Sequence, residues 1–172
     1  MNLITGSPLW LMIVLLAAIV AAAIEDAMRF RISNVTCLVV LLAAVVAMGA
    51  HGFPLSLWQN ALVFVAVLAL GTPLFAAGKM GGGDVKLLAC LGLWVNFGAA
   101  VWLLVATLVA GGVLALGFIA ARPLRAGNAG KPVSRNIPYG LAIAAGACLT
   151  FASQLGVIGA KPAPPDPYVV VR

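Results

Sequence analysis

Six long apolar runs, set apart by short polar breaks, fill most of this 172-residue chain and leave one environment in which it can fold. The runs fall at about 8–24, 35–50, 57–77, 84–96, 98–120 and 137–158. A helix needs roughly 20 apolar residues to cross about 30 Å of hydrocarbon. The pattern therefore predicts an all-α, polytopic integral membrane protein with about six transmembrane helices. Charged residues make up 8% of the chain, against roughly 25% in a soluble domain. Together with a hydrophobic content of 64%, this excludes intrinsic disorder, a nucleic-acid-binding domain and a disulfide-stapled secreted module. No Lys or Arg precedes the first run, so it reads as a retained span rather than a signal peptide. The fourth run is the shortest: its 13 residues reach only about 20 Å, so it is a short helix or starts below the membrane surface. Residues 1–160 are expected to form one membrane-embedded domain. The Pro-rich tail, 161–172, cannot continue a helix and reads as an extended, disordered end.

Charge sets the topology. If the breaks alternate sides, the first, third and fifth lie together and hold Arg29, Arg31, Lys79, Lys86, Arg122, Arg125, Lys131 and Arg135, most of the 10 Lys and Arg residues. The positive-inside rule then puts these loops in the cytoplasm and both termini outside. Trp10, Trp58, Trp94 and Trp102 fall at span ends on the outer side and read as an interfacial belt. The net charge of +6 thus reports orientation, with anionic lipid as its partner and no role for nucleic acid. Cys37, Cys90 and Cys148 lie singly in apolar runs and His51 is the one histidine, so small buried hydrophobes, a solvated loop histidine and no metal site are expected. Nothing in the sequence calls for a cofactor or sets an oligomeric state.

Of the 4 acidic residues, Asp166 lies in the tail, and Glu25, Asp26 and Asp84 sit at the ends of apolar spans, where a charge is costly and usually functional. Asp26 closes the first span and Asp84 opens the fourth. Two spans separate them, so both return to the cytoplasmic face. Two facing aspartates suit an aspartyl protease: one carboxylate takes a proton from water while its protonated partner donates to the scissile carbonyl oxygen. Ala18, Ala22 and Asp26 share one helix face, whose small residues admit a close neighbour. Glu25 points about 100° away and is placed to pair with Arg29, so a structural or interfacial role is expected of it. The helix dipole favours an anion at Asp84, at a helix N-terminus, over one at Asp26, at a C-terminus, although Arg29 and Arg31 oppose this at Asp26.

Gly81, Gly82 and Gly83 lead into Asp84. This bare backbone suits either a plain turn into a helix or the pairing of an extended substrate strand. It fits neither dinucleotide nor phosphate-loop spacing. Gly81, Gly82, Gly83 and Lys86 are thus expected to bind substrate or to support the site, and Lys86 either snorkels to the interface or tunes the pair electrostatically. Gly71 and Pro73 are expected to kink the third span, and Asn34 and Thr36 to cap the second helix. The basic segment at 122–136 serves orientation or substrate gating. A small transporter or assembly scaffold is the competing reading; it would place its carboxylates near mid-membrane on interrupted helices.

The strings KMGGGDVKLLACLGLW at 79–94, DAMRFRISN at 26–34 and IPYGLAIAAG at 137–146 resemble the bacterial type IV prepilin peptidase family, within the GxGD intramembrane aspartyl proteases. The resemblance implies a multi-pass inner-membrane enzyme that removes the leader from prepilins and pseudopilins at the cytoplasmic face. It matches Asp26 to the first catalytic aspartate, Asp84 to that of the GxGD motif, and Gly81 and Gly83 to its glycines. Another GxGD protease with a different membrane substrate is the nearest alternative. Where the family reads IPN, this chain has Ile32, Ser33 and Asn34, a change expected to loosen the start of the second helix. No CxxC is present. The chain therefore resembles the small, peptidase-only members that serve Flp or Tad pili, without N-methyltransferase activity.

Overall fold

A computed structural model describes residues 2–52, 54–120 and 139–157. Among them are six α-helices, one 3-10 turn and no strand: α1 (Leu9–Arg29), α2 (Asn34–Ala50), the 3-10 turn Leu55–Leu57, α3 (Trp58–Ala76), α4 (Gly82–Gly92), α5 (Phe97–Ala120) and α6 (Tyr139–Gln154). Each matches one of the apolar runs. The segment at 122–136 and the tail at 161–172 lie outside the described residues.

The first span, the third (with the 3-10 turn) and α5 are long and apolar enough to cross a membrane, whereas α2 and α6 are apolar but shorter. Outward faces are as apolar as inward ones. Leu108 is 74% exposed on α5 and Leu70 is 70% exposed on α3, as suits helices whose surroundings are hydrocarbon.

The centre of the bundle is α4. Its 11 residues span roughly 16 Å, and every residue from Asp84 to Gly92 except Lys86 is buried. Packed around it are α2, α3 and α6, while α1 is held between α2 and α6, and α5 lies along α6. Small residues make these approaches close. A Cβ at Gly71 would lie 2.5 Å from Val85 Cγ1, and one at Gly92 would lie 2.8 Å from Val63 Cγ1, so α3 seats on α4 through glycine from both sides. Gly71 thus serves helix contact, and α3 continues through Pro73 to Ala76.

Four local expectations change. Trp94 is fully buried, with its indole N–H donating to Val40 O at 3.3 Å. It belongs to the core, whereas Trp10, Trp58 and Trp102 are more than half exposed, as an interfacial belt requires. The N-cap of α2 is Ser33, whose hydroxyl accepts the Thr36 N–H at 3.1 Å; Asn34 is already the first helical residue. That cap stands where the family's proline would be, so the start of α2 is fastened, not loosened. His51 caps the C-terminus of α2 with its ring against Gly6, and its Nε2 is buried without a hydrogen-bond partner. Cys37 and Cys90 are buried, but Cys148 is exposed.

The segment before α1 also folds back. Leu3 and Ile4 are buried, the Leu3 N–H donates to Trp94 O at 3.0 Å, and Asn2 Nδ2 donates to Gln154 Oε1 at 2.7 Å. These contacts gather residue 2, the end of α4 and the end of α6 at one end of the bundle. Asp26 and Asp84 occupy the other, at the last turn of α1 and the first turn of α4.

Candidate active site

Asp26 and Asp84 reach the same place from different helices. Asp26 is carried by the buried face of α1, in line with Leu15, Ala18, Ile19 and Ala22. The chain leaves that helix at Phe30, whose left-handed backbone (φ 52°) turns it at once into α2. Asp84 sits in the first turn of α4, reached through the extended Gly81. Both carboxylates are buried, Asp26 4% and Asp84 7% exposed, and they lie within Coulombic range of each other. A buried carboxylate without a hydrogen-bond donor is costly, so the surroundings of each are informative.

Asp26 is held from a third helix. The Gly140 N–H at the start of α6 donates to Asp26 Oδ2 at 2.6 Å, and the Leu141 N–H also contributes. A Cβ at Gly140 would lie 2.8 Å from Asp26 Cβ, so only glycine lets α6 come this close. Asp26 thus ends one helix but faces the positive end of another, so the dipole of α1 does not act on it alone. Asp84 is different. Its Oδ1 is buried with no hydrogen-bond partner, and its Oδ2 lies over Gly81, where a Cβ would come within 2.5 Å of it.

The three glycines have separate duties. Gly81 leaves room for the Asp84 carboxylate. Gly83 lets the α1–α2 turn approach, since a Cβ there would lie 2.9 Å from Ile32 O. At Gly82 the nearest neighbour of an added Cβ is the Phe75 ring, whose Cε2 would be 3.1 Å away. The Gly83 carbonyl also accepts a long hydrogen bond from Cys37 Sγ, at 3.7 Å.

Glu25 and Lys86 both act as supports between helices, and for Glu25 the partners differ from the one expected. In place of a pair with Arg29, Glu25 Oε2 accepts the Ser33 N–H and the Thr36 hydroxyl, each at 2.9 Å, with Arg29 acting only through its longer-range charge. Lys86 Nζ donates to Asn34 Oδ1 at 3.0 Å, tying the first turn of α4 to that of α2.

Beside the carboxylates opens an apolar groove of about 530 Å³ between α3, α4, α5 and α6. Met80, Val85 and Tyr139 line it and are sequence neighbours of Gly81, Asp84 and Gly140, so the groove runs up to the site. Among the described residues no group of three or more His, Cys, Asp or Glu side chains is placed to hold a metal ion. The arrangement offers acid–base chemistry on two carboxylates.

Sequence reasoning placed the two aspartates and the glycine run but gave Gly140 no task. Its signal was the small residue opening the string YGLAIAAG, which is legible only once that helix is known to begin against Asp26.

An all-helical protein with membrane-length apolar helices and two buried carboxylates at one end is the class that fold and site define. The model of the type IV leader peptidase family matches residues 12–116, more than half of the chain, and the chain belongs to that family. It is accordingly a protease. No curated protein and no solved structure matches it. The match ends before α6, so the hydrogen bonds to Asp26 come from outside the matched residues.

Proposed function

We propose that the protein is an aspartyl endopeptidase of the bacterial inner membrane that removes the leader from prepilins or pseudopilins at the cytoplasmic face, both termini being periplasmic. Prepilins of the Flp or Tad type are the first candidates. The observation that carries the reading is the meeting of Asp26 and Asp84, two of the chain's few acids, at one end of the bundle with one carboxylate oxygen unpartnered.

The apolar helix of the substrate occupies the groove between α3 and α5, and its leader junction unwinds beside the glycine run. Asp26 has an oxygen fixed as acceptor by α6 and takes the proton from the attacking water. Asp84, whose Oδ1 has no competing partner, donates to the scissile carbonyl oxygen as the tetrahedral centre forms. Both groups sit at helix ends on one face, which favours a protease over a transporter with mid-membrane carboxylates. The basic residues flanking them, Arg29, Arg31, Lys79 and Lys86, favour the cytoplasmic side.

The test is reconstitution of the purified protein with a candidate prepilin, followed by mass spectrometry of the product's N-terminus. Asp26→Asn and Asp84→Asn should each abolish processing while the protein stays inserted. Cleavage by either variant at the wild-type rate overturns the reading.

A further inference from the structure

The two aspartates sit on helices that have little direct contact. Both α1 and α4 pack against α2 and α6, and these intermediaries set the distance between them. On the α6 side the link is the Gly140 N–H. On the α2 side it is the first turn of that helix, which is fastened in both directions.

Towards α1, Glu25 Oε2 takes the Ser33 N–H and the Thr36 hydroxyl, both at 2.9 Å. Glu25 precedes Asp26 in the chain and points about 100° away from it around the helix. Anchoring Glu25 therefore fixes the rotation of the turn that aims Asp26. Both bonds go to a carboxylate, the stronger kind of hydrogen bond. Towards α4, Lys86 Nζ meets Asn34 Oδ1 at 3.0 Å, Cys37 Sγ reaches the Gly83 carbonyl, and Ile32 backs onto the bare Cα of Gly83. Rigid contact runs from Asp26 through Glu25, residues 32–36 and Gly83 to Asp84.

We propose that Glu25, with Lys86 as its weaker and more exposed counterpart, is a positioning residue that sets the spacing of Asp26 and Asp84 through the first turn of α2. Neither side chain has a role in the proton transfers, and neither lines the groove assigned to the substrate. Their loss therefore acts on turnover and not on binding. This rests on the function proposed above, which assigns chemistry to the two aspartates.

The experiment measures kcat and KM for prepilin cleavage in reconstituted vesicles. Glu25→Ala should lower kcat roughly tenfold or more at unchanged KM, since a displacement of about 1 Å can cost 10²-fold. Lys86→Ala should lower it less. Glu25→Gln keeps an acceptor oxygen and Lys86→Arg keeps a donor, so each should recover most of the loss. If Glu25→Ala fails to insert, Thr36→Val removes one donor to Glu25 and Asn34→Ala removes the partner of Lys86, both with little change of packing, and each should lower kcat. Unchanged kcat in the inserted variants, or a rise in KM that accounts for the whole loss, overturns the proposal. Asp26→Asn and Asp84→Asn measured alongside separate the two failures: if they still cleave, the function is wrong; if they are dead while the Glu25 and Lys86 variants are fully active, only the positioning role is wrong.

Discussion

The backbone N–H of Gly140 donates to Asp26 Oδ2 at 2.6 Å across 114 residues of sequence, and this bond joins the last described helix to the first. A side chain at 140 has nowhere to go, because its Cβ would lie 2.8 Å from Asp26 Cβ and 3.0 Å from the carboxylate. Gly140→Ala must therefore move either α6 or Asp26. We expect prepilin cleavage to fall about 100-fold, with a stability cost of about 1–3 kcal/mol from overpacking. Cleavage rate and detergent melting temperature measured on the same preparation check this. Full activity in Gly140→Ala would show that the hydrogen bond does not hold the catalytic geometry.

The glycine run should respond unequally to alanine. At Gly81 the new methyl meets Asp84 Oδ2 at 2.5 Å, the end of a side chain that can swing away, so activity should be lost with the fold retained. At Gly83 it meets the Ile32 backbone carbonyl at 2.9 Å, which cannot yield, so both stability and activity should fall. At Gly82 the obstacle is the Phe75 ring, and a small ring movement accommodates it. The expected order of residual cleavage is Gly82→Ala well above the other two, with only Gly83→Ala lowering the melting temperature. Equal loss in all three would mean that backbone freedom, not these contacts, is what the run supplies.

The aspartate pair was legible because acids are so few in this chain that their positions relative to the spans fix a common face. Helix facing was not legible. In a membrane bundle the lipid side and the protein side are both apolar, so hydropathy does not separate the buried Trp94 from the exposed Trp10, Trp58 and Trp102. Residue size does not sort the faces either: Ala18, Ala22, Ala44, Ala47 and Ala147 lie inside, but Ala17, Ala21, Ala61, Ala69 and Ala145 face outward. The partners of Glu25 were missed for a different reason. Its neighbours on α1 suggested Arg29, but the turn at Phe30 brings Ser33 and Thr36 closer, and a backbone N–H with a nearby hydroxyl outcompetes a solvated guanidinium.

Trp94 gives a test of the fold independent of catalysis. It is fully buried, its indole donates to Val40 O, and its own carbonyl accepts the Leu3 N–H, all at the end of the bundle away from the aspartates. Trp94→Phe removes the indole bond and leaves a void. The expected cost is about 1–3 kcal/mol, with kcat unchanged. Trp10→Phe, Trp58→Phe and Trp102→Phe should each stay within about 0.5 kcal/mol of the wild type. Thermal unfolding in detergent decides it, and a Trp94→Phe variant no less stable than those three would contradict the placement of Trp94.

Gly71 and Val85 provide a contact that can be exchanged between its two sides. A Cβ at Gly71 would come within 2.5 Å of Val85 Cγ1 and 3.1 Å of Cγ2, and Val85 directly follows Asp84 in α4. Gly71→Ala should push α3 and α4 apart and lower cleavage about tenfold through the displaced aspartate. Val85→Ala alone leaves a small void and should cost little activity. Combining them removes the methyl groups that collide, so the double variant should recover to within a few-fold of the wild type. The corresponding interaction energy is about 0.5–3 kcal/mol, the range for residues in direct contact. Strictly additive losses would instead mean that the Gly71→Ala loss does not arise from its collision with Val85, and that the seat between these helices is not what fixes the site.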